Sequence, residues 1–160
     1  MIKVGDKVPS VKIKVAADTG GGEETTTEAL FANKKVVLFG VPGAYTPTCS
    51  AKHLPGFVEQ ADALKAKGVD LIACVSVNDA FVMGAWGKDQ KAFGKVTMIA
   101  DGNADLAKAM GLELDLAVAS MGLRNKRYAA VIENNTVKVL AVEEAGKFEV
   151  SSAEAIAAKL

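Results

Sequence analysis

Two cysteines among 160 residues are too few to staple a small secreted domain, so the chain fits a reducing compartment in which its thiols stay available for chemistry. With only one histidine beside them they also make a poor metal set, and neither a metal nor another cofactor is expected. Lys plus Arg (19) equals Asp plus Glu (19), which leaves no net charge to hold phosphate backbones or an anionic membrane surface. Nucleic acid is not an expected partner. No apolar run is long enough to cross a bilayer, and Met1-Ile-Lys-Val-Gly5 passes into charged and polar residues instead of a signal core, so a cytoplasmic protein is expected. Repeats, linkers and low-complexity tracts are missing too. At 50% apolar content the chain suffices for one substantial core, and a single domain over 1–160 is expected.

What the chain does contain is an alternation of strand and helix signals. Within Val8 to Val15, Val11, Ile13 and Val15 alternate with Lys12 and Lys14, the mark of a half-buried strand. Asp18-Thr-Gly-Gly-Gly22 breaks it as a loop or hairpin tip. Thr27 to Phe31 suits one helical turn capped by Thr27, and the continuous apolar run Val36 to Val41 suits a central strand buried on both faces. From Ser50 to Lys67, Leu54, Phe57, Val58, Ala61 and Leu64 follow helical spacing up to Gly68, with Pro55 expected to kink or break the helix about one turn in. Val69 to Val77 reads as a second buried strand, and Asn78-Asp79 caps a helix running to about Phe93. A third strand at Val96 to Ala100 precedes a short helix from Ala104 to Met110. Tyr128 to Ile132 and Val137 to Val142 flank Glu133-Asn-Asn-Thr136, a hairpin signal because asparagine tolerates positive φ. Ser151 or Ser152 caps a closing helix to Leu160, with Glu154 placed as in a capping box.

This order predicts an α/β fold with a mostly parallel centre and an antiparallel edge. In such sheets ligands gather outside the carboxyl ends of the parallel strands. The turn after Val36 to Val41 is one of those places, and it leads to Cys49 in the first turn of a helix. The thiolate is the reactive form of cysteine, whereas a free thiol with a pKa of ~8.5 is mostly protonated at neutral pH. Unpaired N–H groups and the positive end of the helix dipole favour the anion there. Thr46 and Thr48 add hydroxyls, while Pro42 and Pro47 stiffen the loop. On local residues alone, Cys49 is either such a thiol or a small buried apolar residue.

The string Val41-Pro-Gly-Ala-Tyr-Thr46-Pro-Thr-Cys49-Ser50, continued by Lys52-His-Leu-Pro-Gly-Phe57, closely resembles the active-site segment of the type II peroxiredoxins, the atypical two-cysteine class related to peroxiredoxin 5. Gly68 to Asp79, Phe81 to Trp86 and Arg124 to Tyr128 resemble later blocks of the same family, so the likeness spans nearly the whole chain. It implies a thioredoxin-like fold with an N-terminal extension, a mixed central sheet flanked by helices, and reduction of hydrogen peroxide and alkyl hydroperoxides. It further implies that Cys49 is the peroxidatic cysteine, Thr46 a hydroxyl that holds peroxide, Pro42 a shield, and Arg127 the guanidinium that completes the site, with Arg124 and Lys126 as alternatives. Cys49 would attack one peroxide oxygen and become a sulfenic acid while the other leaves as water or alcohol. The Cys49 N–H, the Thr46 hydroxyl and Arg127 are the expected donors to the developing charge. A homodimer is implied on the same ground.

The class places a resolving cysteine near the carboxyl end, where this chain has Ser151-Ser152. Recycling is therefore expected from an external thiol, glutathione with glutaredoxin or else thioredoxin, in preference to Cys74 after local unfolding. Cys74 lies mid-strand, where burial keeps a thiol inert. His53, four residues after Cys49, is expected to pack or hydrogen-bond in the turn around Pro55, in preference to a Cys–His protease pair or a zinc site. Phe81, Met83, Trp86 and Phe93 are expected in the core or on a dimer surface, and Phe39, Tyr45 and Phe57 are candidates for lining the peroxide pocket. The second functional reading is a non-turnover redox sensor or partner-binding protein switched by Cys49 oxidation.

Overall fold

The run Val36 to Phe39 forms the middle of the sheet because its side chains alternate between two apolar layers. Val37 and Phe39 enter one core and Val36 and Leu38 the other, so neither face of this strand is wet. The protein, described over residues 1–160 by a computed structural model, has seven strands in one mixed sheet. They are β1 (Lys12–Ala16), β2 (Gly22–Thr26), β3 (Lys35–Gly40), β4 (Leu71–Ser76), β5 (Thr97–Ala100) and, after a separate pair β6 (Glu113–Asp115) and β7 (Leu123–Asn125), β8 (Tyr128–Glu133) and β9 (Thr136–Val142). Their order across the sheet is β2-β1-β5-β4-β3-β8-β9. β3, β4 and β5 run parallel, and the pairs β1–β5, β1–β2, β3–β8 and β8–β9 are antiparallel.

Helices cover both faces. α2 (Leu54–Ala66), α3 (Ala80–Asp89) and α5 (Ala153–Ala157) bury Phe57, Leu64, Trp86 and Ile156 against the layer that contains Phe39, Cys49 and Cys74. α1 (Thr27–Phe31) and α4 (Asp105–Met110) bury Phe31, Leu106 and Met110 on the opposite layer. The result is the expected mixed α/β, thioredoxin-like architecture, with the β1–β2 hairpin added at the β5 edge.

Several local expectations need correction. Gly22–Thr26 is a strand that its polar sequence hides; it needs no apolar face, because it pairs through its backbone with β1 at the sheet edge. Thr26, not Thr27, caps α1 by accepting from the Ala29 N–H, while the buried Thr27 hydroxyl donates to the Pro9 carbonyl at 2.6 Å and ties the N-terminal segment down. α3 stops at Asp89 instead of Phe93, since Lys91 adopts φ 55°, outside the helical region. Ser152 caps α5, which ends at Ala157 instead of Leu160. Glu154 is then the second helical residue, one short of a capping box, and Ser151 is engaged elsewhere. The Asn134-Asn135 turn is as expected, with φ of 45° and 65°. Arg127 sits in the two-residue link between β7 and β8, directly ahead of Tyr128.

Candidate active site

The loop that leaves β3 is held at three points before it reaches Cys49 and at a fourth on Ser50 just after it. Asn78, just past β4, accepts from the Ala44 N–H at 3.0 Å and from the Ser76 hydroxyl at 2.6 Å. Tyr45, at φ 63°, donates its hydroxyl to Asp89 at 2.6 Å. Arg124 donates Nη1 to the Pro42 carbonyl at 3.4 Å, and the buried Trp86 donates Nε1 to the Ser50 hydroxyl at 3.1 Å.

The helix begins at Pro47, whose missing N–H costs nothing at a first helical position, and the Ser50 N–H closes on the Thr46 carbonyl at 3.0 Å. Cys49 thus lies in the first turn, where N–H groups have no partner within the helix. Cys49–His53 is wound as a π-turn, in which the Leu54 N–H reaches the Cys49 carbonyl five residues back. Pro55 follows directly, and its missing donor is the local reason that the ladder changes register here, about one turn into the expected helix.

This turn presents Cys49 and His53 to the same partner. Arg127 donates Nη2 to Cys49 Sγ at 3.1 Å and Nη1 to His53 Nδ1 at 2.9 Å. His53 Nε2 lies 2.8 Å from the Ser151 carbonyl, which only accepts, and Nδ1 faces a guanidinium, which only donates. The tautomer is therefore neutral with its hydrogen on Nε2. Burial, then the charge of Arg127, holds the imidazole at about pKa 3. Its ring packs 4.8 Å from Phe39 and 5.0 Å from Phe148, and Phe39 stacks on Phe57 at 4.0 Å. Arg127 also lies 5.9 Å over the Phe148 ring, a cation–π distance.

The two cysteines differ sharply in surroundings although both are free and fully buried. Cys49 receives a charged donor. Burial, with the nearby Cys49 as a lesser cause, pushes the Cys74 thiol well up, which favours its protonated form.

A cavity of about 430 Å³ opens beside Arg127, lined also by Pro42, Thr48, Leu114, Lys126 and the segment Glu143–Lys147. Arg127, hydrogen-bonded to Cys49, thus shares this cavity with Pro42, while Cys49 itself lies behind its wall. Thr46 is one turn away; its hydroxyl donates to the Gly43 carbonyl at 2.7 Å, so that hydrogen is committed and the expected donor is left as an acceptor. Phe39 and Phe57 are core residues behind the histidine and Tyr45 is turned to Asp89, so none of the three lines this cavity. Met83 and Trp86 are core, while Phe81 is exposed.

His53 packs and hydrogen-bonds as expected, with Arg127 as the partner that sequence reasoning did not name, whereas the Glu143 contacts behind it were missed. His53 had a signal in its four-residue spacing from Cys49. Glu143 had none beyond the end of an apolar strand. Its Oε2 accepts from the Glu149, Val150 and Ser151 N–H groups at 2.8, 2.8 and 2.9 Å and from the Ser151 hydroxyl at 2.7 Å. Burial opposes ionisation of this carboxyl, but the Ser151, Val150 and Glu149 donors outweigh it and hold its pKa below the ordinary value.

A neutral buried histidine makes stability pH-dependent with a definite sign. The unfolded chain takes up a proton as pH falls below 6.5 and the folded protein does so only near 3, so the stabilisation is complete above that window and lost as pH falls through it. At pH 5 the loss from this group is about 2 kcal/mol relative to pH 7.5. Urea unfolding of wild type and His53→Gln at the two pH values should show that excess loss in wild type; equal losses would contradict it.

A Redoxin family profile matches residues 3–157. Rice peroxiredoxin-2E-2, a chloroplastic protein, is 53% identical over 96% of this chain and 70% of its own length. Arabidopsis thaliana peroxiredoxin-2B is 48% identical over 97% of this chain and 96% of its own length. Among solved structures, reduced Prx3 of Vibrio vulnificus in complex with H2O2 is 53% identical, with a TM-score of 0.94 over 99% of each chain. The fold, the cysteine-bearing helix turn and these likenesses agree, and the chain belongs to the peroxiredoxins, the thiol peroxidases.

Proposed function

We propose that Cys49 is the thiol that this peroxidase oxidises, within the type II, peroxiredoxin-5-like branch of the family. The observation that carries the assignment is the 3.1 Å contact from Arg127 Nη2 to Cys49 Sγ, against the apolar burial of Cys74. A guanidinium bonded to sulfur compensates negative charge on it. The Cys49 thiolate attacks one peroxide oxygen; the S–O bond forms as the O–O bond breaks. Sulfur loses two electrons, and the departing oxygen takes a proton and leaves as water or alcohol. Two of the five guanidinium N–H groups are used on Cys49 and His53, which leaves three for the peroxide oxygens. Thr46, with its hydrogen on Gly43, accepts from a peroxide O–H, and Pro42 forms part of the cavity wall.

An external thiol, glutathione with glutaredoxin in preference to thioredoxin, returns the sulfenic acid to thiol. The support is that Cys74 is locked in β4 and that serine occupies positions 151 and 152. Such a thiol enters by the cavity beside Arg127. Two free cysteines suit a reducing compartment such as the cytosol. The exposed side chains of Phe81 and Val118 support association with a second copy.

Treating the reduced protein with one equivalent of H2O2 in the presence of dimedone, then mapping peptides by mass, should place the adduct on Cys49 and leave Cys74 free. Cys74→Ser should form the adduct equally fast. An adduct on Cys74 would overturn the assignment, and regeneration by thioredoxin alone would overturn the choice of reductant.

A further inference from the structure

Four side chains or backbone groups far apart in sequence form one unbroken path behind Cys49. Its outer end is Glu143, which follows β9 directly. The Glu143 N–H donates to the Arg127 carbonyl at 2.9 Å, extending the β8–β9 pairing by one step to the residue that carries the guanidinium. Its carboxylate gathers three successive N–H groups and the Ser151 hydroxyl on a single oxygen, which fixes the turn before α5. That turn aims the Ser151 carbonyl at His53 Nε2, the histidine presents its Nδ1 lone pair to Arg127 Nη1, and Arg127 Nη2 meets Cys49 Sγ.

The path has a direction set by hydrogen-bond inventory. A carbonyl cannot donate and a guanidinium cannot accept, so the Ser151 carbonyl dictates the tautomer that leaves Nδ1 open to Arg127. If the turn is released, the ring is free to rotate or take the other tautomer, and Nδ1–H would then face a cation. Arg127 would lose its lateral restraint while keeping the backbone bond to Glu143. We propose that Glu143 is a positioning residue for peroxide reduction, acting through the Ser151 carbonyl and the His53 tautomer on the direction of the Arg127 guanidinium. This rests on the assignment of Cys49 and Arg127 made above.

The test separates positioning from general structural support. Glu143→Gln keeps the shape of the side chain but loses the charge that gathers four donors. Its second-order rate constant for H2O2 should fall about tenfold, the scale of a reacting group misplaced by less than an ångström. Its rate with iodoacetamide, a neutral alkylator that needs no donors to a peroxide, should change less than about threefold. In an Arg127→Gln background the same substitution should have little further effect on the H2O2 rate, because the path then ends on nothing.

Rates with H2O2 and iodoacetamide that fall together would overturn the proposal. So would an undiminished Glu143 effect without Arg127, or no effect at all. Should Glu143→Gln fail to fold, Ser151→Ala, which removes one of the four donors and keeps the backbone carbonyl, carries the same comparison with an expected loss of about threefold. Failure of the Cys49 assignment itself reads out separately, as a dimedone adduct elsewhere in the wild-type protein.

Discussion

Arg127→Gln should lower the second-order rate constant for Cys49 oxidation by H2O2 by about 10² to 10³, the scale of losing a preorganised donor to developing charge. Three interactions go at once: the charged contact to Cys49 Sγ, the contact to His53 Nδ1, and the cation over Phe148. The first acts on the reacting sulfur. As the O–O bond breaks, charge spreads over sulfur and both oxygens, and no other cationic side chain makes a hydrogen bond to Cys49. The second leaves a buried ring nitrogen without its partner, which also costs stability of about 1–3 kcal/mol. Measuring the rate by stopped flow, with thermal melting alongside, separates the two. A loss smaller than about tenfold in a folded variant would move the role to Arg124, which donates to the Met121 and Pro42 carbonyls.

Gly40→Ala should destabilise the protein by about 3 kcal/mol, near the upper end for overpacking in a core. Gly40 ends β3 directly before the Pro42 loop and pairs with Tyr128 across the β3–β8 ladder. A Cβ at this position would meet the Tyr128 ring, 2.7 Å from Cδ1 and 2.8 Å from Cζ, with Cε1 closer still. That ring is almost wholly buried and has nowhere to swing, so the strand end must move, and the Cys49 loop with it. Gly56 in α2 is the internal contrast: a Cβ there meets nothing within 4 Å. Gly56→Ala should therefore stabilise by about 0.5–1 kcal/mol, since alanine loses less backbone entropy in a helix. Equilibrium urea unfolding of both variants checks the opposite signs; two shifts of the same sign would contradict the packing argument.

What could be read from the sequence divides along a physical line. β3, β4, β5 and the β8–β9 hairpin were legible because burial on both faces demands continuous apolar runs, and because Asn134-Asn135 suits the positive φ of the turn. β2 was not legible, since Gly22-Glu-Glu-Thr-Thr26 buries little and is specified by its partner. The three-residue strands β6 and β7 are too short for any period to show. α3 ends sooner than its apolar pattern suggests, because Ala92 and Phe93 continue that pattern after the backbone has already turned at Lys91.

The site divides the same way. Cys49, Pro42 and Thr46 lie within eight residues and carry a family pattern, and Arg127 came with the matching block. The path from Glu143 through Ser151 and His53 to Arg127 joins residues up to 98 positions apart, with no local regularity at any step. Such a path becomes visible only when the sheet brings β8, β9 and the turn before α5 alongside the π-turn. The same packing corrects the reading of Thr46: its hydroxyl hydrogen is used by Gly43, a contact three residues away that composition does not reveal.

The claim at the centre of this account is that one of two equally buried thiols does the chemistry, because one meets a guanidinium and the other does not. The most direct test is peroxide consumption with excess H2O2 and an external thiol reductant, measured for wild type, Cys49→Ser and Cys74→Ser. Cys49→Ser should consume no peroxide above background and Cys74→Ser should match wild type within about twofold, since an inert buried thiol contributes nothing to the displacement. Normal turnover by Cys49→Ser, or its loss in a folded Cys74→Ser, would contradict the account.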